Sequence, residues 1–204
     1  MPRPKRLVAV GWILVSVILT GTRAKGEVGG TFRSIALREN VISVVRWNVS
    51  AGELLCVFSR QPQNSNQKAA APPVRSLAVY RRDGVNYIRI FEVKTPDWLL
   101  TAFPIGELNG RFFVAWGGGS AYHFTVFAYS AGNVEKVLDV SSRGMPDIVI
   151  GSDERESILV TQMEFTDGRY RRSTGKTEVF RWNGTQYDDV GTFPWDKRFE
   201  QVAR

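Results

Sequence analysis

The stretch that decides the fold is VFRWNGTQYDDV at residues 179–190, which reads as a strand, a tight turn and a second strand. The same pattern occurs at 79–90 (VYRRDGVNYIRI) and, with one more turn residue, at 126–137 (VFAYSAGNVEKV). Apolar runs on both sides of a turn dipeptide are typical of β-hairpins. The chain therefore repeats one hairpin three times.

The turns of these hairpins carry residues that favour a positive φ angle. Asp83-Gly84 and Asn183-Gly184 predict type I′ turns, and Ser130-Ala131-Gly132 is expected to serve the same purpose in the middle copy. Six further strand-length runs are bounded by Gly, Pro, Asn and Asp, and no sustained helical period follows residue 25. The twelve strands fall into three sets of four, with a period of about 50 residues that indicates internal repeats.

We therefore predict an all-β fold with three repeats of a four-stranded antiparallel unit, arranged like the blades of a partial propeller. A β-trefoil is the alternative. The apolar runs RFFVAWGGG (111–119) and DIVIGS (147–152) favour blades, because inner strands are packed on both faces. Three blades leave two end faces to be covered, by a second copy of the chain, by trefoil-like closure or by residues 25–40.

The chain divides into a leader, one domain and a tail. The expected segments are a signal peptide (1–24), an N-terminal segment (25–40), a β-repeat domain (41–195; units 41–93, 97–140 and 145–193), a flexible insertion (61–73) and a C-terminal tail (196–204). The insertion is set apart by its three Gln, two Asn and terminal Pro-Pro.

The first 24 residues suggest export. Arg3, Lys5 and Arg6 precede an apolar run at 7–19, and small residues follow it. This order is typical of a secretory signal peptide, and the run is shorter than the roughly 20 residues that span a bilayer. We expect a secreted or periplasmic protein without a stable membrane span, with an uncleaved N-terminal anchor as the alternative.

The net charge gives no reason to expect a nucleic-acid partner. The whole chain carries +7. Four of those positive charges, and no acid, lie within residues 1–24, so the remaining chain carries +3. Nucleic-acid binding requires a concentrated basic patch, and the remaining basic residues are spread out apart from Arg169, Arg171 and Arg172.

One motif resembles a known family. MPDIVIG (145–151), a middle strand and then VFRWNGTQY (179–187) are similar to the FG-GAP and VCBS-type repeats of integrin-α-like propellers in bacterial secreted proteins. The resemblance covers mainly residues 97–195. It implies a blade-like fold, a secreted context and a role in adhesion or ligand binding.

Such repeats often carry a calcium loop, and calcium requires six to eight oxygen ligands. The candidate ligands here are Asp153, Glu154 and Glu156. Their segment SDERES lacks the alternating acids and the Gly of a calcium loop, and it contains Arg155. We therefore expect no cofactor, with calcium as the alternative.

Catalytic motifs are missing from the sequence, which contains no GxSxG, HExxH, CxxC or GxxxxGK[ST]. His123 is the only histidine, and its pairing with Ser120 does not have the spacing of a catalytic triad. We expect a protein that is not an enzyme. A secreted hydrolase that uses carboxylates near 147–156 is the alternative.

The aromatic residues offer a binding function instead. Trp98, Trp116 and Trp195, together with His123, are the candidate ligand contacts, because aromatic rings stack on sugars and fill protein pockets. The sequence therefore predicts an exported, non-catalytic binding protein for a protein or glycan partner, which could form a homodimer. A structural or assembly module is a further alternative.

Overall fold

The computed structural model describes residues 40–60, 74–106, 110–119, 121–151, 155–162, 164–166, 169–171, 175–194 and 197. The predicted signal peptide, the N-terminal segment before Asn40, the insertion at 61–73 and the tail other than Lys197 lie outside these residues. Asp153, Glu154, Ser120 and Trp195 lie outside them as well. The described residues form fourteen strands, and no described residue lies in an α-helix.

Twelve of the strands form three four-stranded antiparallel sheets in which neighbours in sequence are neighbours in space. Sheet I consists of β1 (Val41–Val49), β2 (Gly52–Arg60), β3 (Arg75–Asp83) and β4 (Asn86–Thr95). Sheet II consists of β5 (Trp98–Ile105), β6 (Arg111–Gly118), β7 (Ala121–Ser130) and β8 (Asn133–Ser142). Sheet III consists of β9 (Asp147–Ile150), β10 (Glu156–Thr161), β13 (Lys176–Trp182) and β14 (Tyr187–Pro194). The predicted all-β fold of three four-stranded repeats is confirmed.

The remaining two strands form a small hairpin that the sequence did not predict. The sequence SILVTQMEF at 157–165 reads as one continuous strand, but β10 ends at Thr161 and is followed by β11 (Glu164–Thr166) and β12 (Arg169–Arg171). Asp167-Gly168 lies between these two strands in the sequence. That dipeptide is a hairpin signal, and the strand prediction did not use it.

The contacts divide the chain into two compact units, and the division passes through sheet II. One unit contains the described residues up to 114 together with 127–135, and therefore holds the whole of sheet I. The other contains 115–126 and the residues from 136 onward, and therefore holds the whole of sheet III. Each unit is described by itself below.

The three repeated hairpins turn in three different ways. In the β3–β4 hairpin only Gly84 has a positive φ, 61°, and Val85 follows it, which is the pattern of a type II′ turn. In the β7–β8 hairpin Ala131 (49°) and Gly132 (89°) both have positive φ, as in a type I′ turn. The type I′ prediction is therefore wrong for the first hairpin. The middle hairpin makes a type I′ turn with two residues, so the extra turn residue predicted there is wrong, because Ser130 belongs to β7.

The third hairpin has a four-residue loop between Trp182 and Tyr187. The Asn183 side chain closes this loop: its Oδ1 accepts from the backbone N–H groups of Thr185 and Gln186, both at 2.9 Å, and its Nδ2 donates to Asp188. The Asn183 N–H also donates to the Gln186 carbonyl at 3.0 Å, so the side chain supplements a backbone turn. The type I′ prediction is wrong here because Gly184 has a positive φ, 109°, and Asn183 does not.

Ala131 is the one non-glycine residue with a positive φ in the three hairpin turns. A left-handed conformation is costly for a residue with a Cβ, but Asn tolerates it far better. We expect Ala131→Asn to raise the free energy of unfolding by about 0.5 to 1 kcal/mol. Urea denaturation of both proteins measures the gain. Gly132→Ala is the matched control and should lower stability, and an unchanged midpoint for Ala131→Asn would contradict the turn assignment.

The central strand β2 of sheet I is buried on both faces. On one face, Leu55 and Val57 of β2 form a cluster with Ala78 and Tyr80 of β3. Tyr80, the most exposed of the four, shows only 6% of its surface. The whole length of β2 from Leu54 to Ser59 is buried, so its other face is covered as well.

The other face of sheet I packs against aromatic residues of sheet II within the same unit. The Trp47 ring lies 5.3 Å from Phe112 and 6.3 Å from Tyr129, measured between ring centroids. Phe91 of β4 lies 5.3 Å from Phe127 of β7. Aromatic side chains bury large apolar areas, so these contacts stabilise the packing of sheet I within this unit.

In sheet III the central strand β10 is likewise buried on both faces, because all six of its residues are buried. Val149, Leu159 and Val179 form the core on one face, with Phe193 packed against them. Apolar β9 was expected to be the fully packed strand of this sheet. It is instead an edge strand in which only Val149 is buried, and β10 is the packed strand.

The burial of β2 and β10 bears on the predicted homodimer. That prediction followed from the expectation that the first and last units would each leave an apolar face open. One chain by itself already buries both faces of these strands. The homodimer stays a prediction, as does the choice between propeller-like and trefoil closure.

Candidate functional site

Trp98 is the predicted ligand contact that the structure places at the surface. It begins β5 at the edge of sheet II and exposes 45% of its surface. Leu100, two residues further along, exposes 36%. Because alternate residues of a strand point to the same face, these two side chains form one apolar surface, which we call the Trp98 surface.

The strand that carries the Trp98 surface is unusual among the edge strands. β5 reads WLLTAFPI and has no charged residue. The edge strand β4, in contrast, carries Arg89, Glu92 and Lys94, and Arg89 pairs with Glu92 at 3.2 Å. Charges on an edge strand prevent it from associating with other chains. Strand β5 lacks this protection, which makes it the edge best suited to a partner.

A neighbouring strand of the same unit exposes a further apolar side chain. Strand β1 is the edge of sheet I and contacts β5. Its Ile42 exposes 52% of its surface. The sequence prediction missed Ile42 and Leu100 because it searched for aromatic residues, and the exposure of an aliphatic residue in an apolar run has no sequence signal of its own.

Among the other predicted ligand contacts, those that the structure describes are less exposed than Trp98. Trp116 is a core residue of β6 with 5% exposure, which leaves little of its ring accessible to a ligand. The reason is that β6 is buried along its length. His123 is half-buried in β7, and its Nδ1 lies 3.0 Å from the Ser141 hydroxyl. Trp195 lies outside the described residues.

Of the three candidate metal ligands, only Glu156 is described, and it is 3% exposed. The Tyr187 hydroxyl donates a hydrogen bond to its Oε1. Tyr187 also packs against Trp182, with ring centroids 5.2 Å apart. Glu156 is therefore a core carboxylate held by a phenol, which is not the open arrangement that a calcium ligand needs. Among the described residues, no three His, Cys, Asp or Glu side chains are grouped as metal ligands.

Of the acids at 147–156 that were candidates for a hydrolase, the structure describes Asp147 and Glu156, and it does not bring these two together. In the β9–β10 ladder Asp147 pairs with Leu159, whereas Glu156 pairs with Ile150. Asp147 therefore lies on the same face as Leu159, and Glu156 lies on the opposite face. A glycosidase needs both carboxylates on one substrate, so Asp147 and Glu156 cannot form such a pair.

Cys56 is the only cysteine of the chain and lies fully buried in β2. Burial raises the pKa of its thiol well above the ordinary value. The thiolate is the reactive form of cysteine, so this residue acts as a small apolar core residue.

Comparison with known proteins gives no family and no neighbour. No family model matches the chain, and neither a curated protein nor a solved structure is significantly similar to it. The resemblance to FG-GAP and VCBS-type repeats therefore stays a prediction. Across the part of the chain that the structure describes, no helix has the length and hydropathy to cross a membrane.

Proposed function

We propose that this chain is an exported, non-catalytic β-repeat protein that binds a protein or glycan partner. The observation that carries the proposal is the Trp98 surface, an exposed indole and an exposed leucine on an edge strand without charges. Removing exposed apolar area from water favours association by about 25 cal/mol per Å². Tryptophan is also enriched among the residues that dominate binding energy.

Two features favour binding over the hydrolase alternative. The described acids near 147–156 lie on opposite faces of sheet III, and Glu156 is engaged by Tyr187. His123 is engaged by Ser141, which leaves the Trp98 surface as the better supported site. The proposal of export rests on the N-terminal sequence alone. A structural or assembly module is the other alternative function.

Alanine at Trp98 tests the proposal. A glycan array and a protein pull-down with the full chain identify ligands, and titration of each ligand then gives its affinity. We expect Trp98→Ala to weaken the principal interaction by about tenfold or more, since tryptophan anchors typically contribute at least about 2 kcal/mol. The melting temperature should hardly change, because the ring is largely exposed.

Ile88→Ala is the matched control. Ile88 is similarly exposed, at 44%, but it lies on the charged edge strand β4. The Ile88→Ala variant should bind every ligand with the affinity of the unmodified chain. If Trp98→Ala binds all ligands with unchanged affinity, the Trp98 surface is not the binding site.

A further inference from the structure

Strand β5 differs from every other described edge strand because it carries no charge. It is the first strand in the order of sheet II, so one of its backbone edges has no strand of that sheet beside it. The edge strands β1, β4, β8, β9 and β14, and both strands of the small hairpin, each contain at least one charged residue. Charged side chains keep an edge strand from pairing with other chains. Strand β5 is therefore the one described edge without this barrier.

The side chains of β5 divide between a packed face and an exposed face. Phe103 lies on the packed face, where its ring is 5.0 Å from that of Phe113 on β6. Trp98 and Leu100 lie on the opposite face, because they differ from Phe103 by an odd number of positions, and they expose 45% and 36% of their surfaces. A strand added beside β5 would remove part of this apolar area from water, which favours association.

An identical strand is a suitable neighbour for β5. In an antiparallel pair of identical strands, any charged residue near the symmetry axis meets its own copy, and like charges that lie opposite each other are destabilising. Two copies of β5 meet without this repulsion. The other described edge strands would not, since each brings a charge to the pair.

Two-fold symmetry also limits the registers that two copies of β5 can adopt. An axis perpendicular to the sheet keeps each side chain on its own face, so even-numbered residues pair with even-numbered residues. A register centred on Leu100 places Leu100 opposite Leu100 of the partner subunit, and the bulky Trp98 opposite the small Ala102 of the partner subunit. Pro104, which has no N–H, stays outside the paired segment. A register centred on Thr101 would instead place Trp98 opposite a proline that cannot donate to the ladder.

We propose that the Trp98 surface binds a second copy of this chain, and that the two β5 strands pair in the antiparallel register centred on Leu100. The two copies of sheet II then form one continuous sheet with four strands from each copy. This inference rests on the function proposed above and deepens it, because it names the protein partner. The paired segment, residues 98–102, is far shorter than the roughly 20 to 30 residues a side of a standard interface. We therefore expect a dissociation constant in the micromolar range.

Sedimentation velocity of the full chain tests the dimer, at concentrations from about 1 to about 200 μM, which bracket such a constant. We expect the sedimentation coefficient to rise with concentration as monomer converts to dimer. Leu100→Lys should raise the dissociation constant by about tenfold or more, because it places two ammonium groups opposite each other. Ile88→Lys is the matched control: it adds the same charge at a similarly exposed position of β4 and should leave the dimer unchanged. Thermal melts verify that both variants fold.

A cysteine at the symmetry axis tests the register. Opposite residues of an antiparallel pair have Cα atoms about 4.5 to 5.5 Å apart, a separation that a disulfide can bridge. We expect Leu100→Cys to form a disulfide between two chains under mild oxidation, since the native Cys56 is fully buried. Thr101→Cys would lie diagonally from its copy, at about 7 to 8 Å, and should cross-link several-fold more slowly. Ile88→Cys measures cross-linking by random collision.

Three results would overturn the inference: a chain that is still monomeric at about 200 μM, a Leu100→Lys variant that dimerises as tightly as the unmodified chain, or Thr101→Cys cross-linking as fast as Leu100→Cys. Each is distinct from a failure of the function proposed above. If the chain is monomeric and Trp98→Ala still loses a ligand found by array or pull-down, the proposed function stands and the second copy is excluded. If the chain dimerises through β5 and no such ligand depends on Trp98, a foreign partner is excluded and this inference stands.

Discussion

Replacing Trp47 with Ala is expected to lower the free energy of unfolding by about 3 to 5 kcal/mol. Trp47 is completely buried in β1 and contacts the rings of Phe112 and Tyr129 in the same unit. The substitution removes a large apolar side chain and leaves a cavity between sheets I and II. Small domains have only about 5 to 15 kcal/mol of total stability. A large fraction of the Trp47→Ala molecules should therefore be unfolded at moderate urea concentrations.

Trp47→Phe separates the loss of packing from the loss of the indole N–H. The Trp47 Nε1 is buried and has no hydrogen-bond partner in the described structure. A buried donor without a partner costs about 1 to 3 kcal/mol, and phenylalanine removes this cost while it keeps an aromatic ring. We therefore expect Trp47→Phe to be much less destabilising than Trp47→Ala. Equal losses in urea denaturation would show that the indole N–H has an acceptor.

The second large effect is expected at the buried pair of Glu156 and Tyr187. Tyr187→Phe removes the hydroxyl that donates to the Glu156 carboxylate and changes little of the packing against Trp182. A buried charged acceptor that loses a donor costs about 1 to 3 kcal/mol. We expect a loss of that size in chemical denaturation, although Tyr187 lies on β14, an edge strand of sheet III.

A double-mutant cycle attributes this loss to the hydrogen bond. In a Glu156→Gln background the acceptor is neutral, so Tyr187→Phe should cost less than it does in the unmodified chain. Tyr122→Phe, at a half-buried tyrosine of β7, is the matched control for removing a phenol hydroxyl. Additive effects of Glu156→Gln and Tyr187→Phe would contradict a direct interaction.

Much of the fold could be predicted because its signals are local. The hairpins at 79–90, 126–137 and 179–190 all form, since alternating apolar residues and turn residues act within about twelve positions. The turn types were harder to predict. Whether Asn183 shapes its turn through its backbone or through its side chain depends on partners such as Asp188, which the dipeptide itself does not specify.

The candidate sites could be predicted less well than the fold. Trp98 and Trp116 looked alike in the sequence, yet one is exposed on an edge strand and the other is buried in a central strand.

By itself, the sequence determined the all-β class, the three four-stranded repeats and the positions of the hairpins. These follow from residue periodicity and turn chemistry, which act between near neighbours in the chain. Only the tertiary structure decided that β10 and not β9 is packed on both faces, that Glu156 is held by Tyr187, and which apolar and charged side chains face solvent. The physical reason is that burial and pairing depend on which distant strands pack together, and residues 31 positions apart, such as Glu156 and Tyr187, carry no mark of their contact.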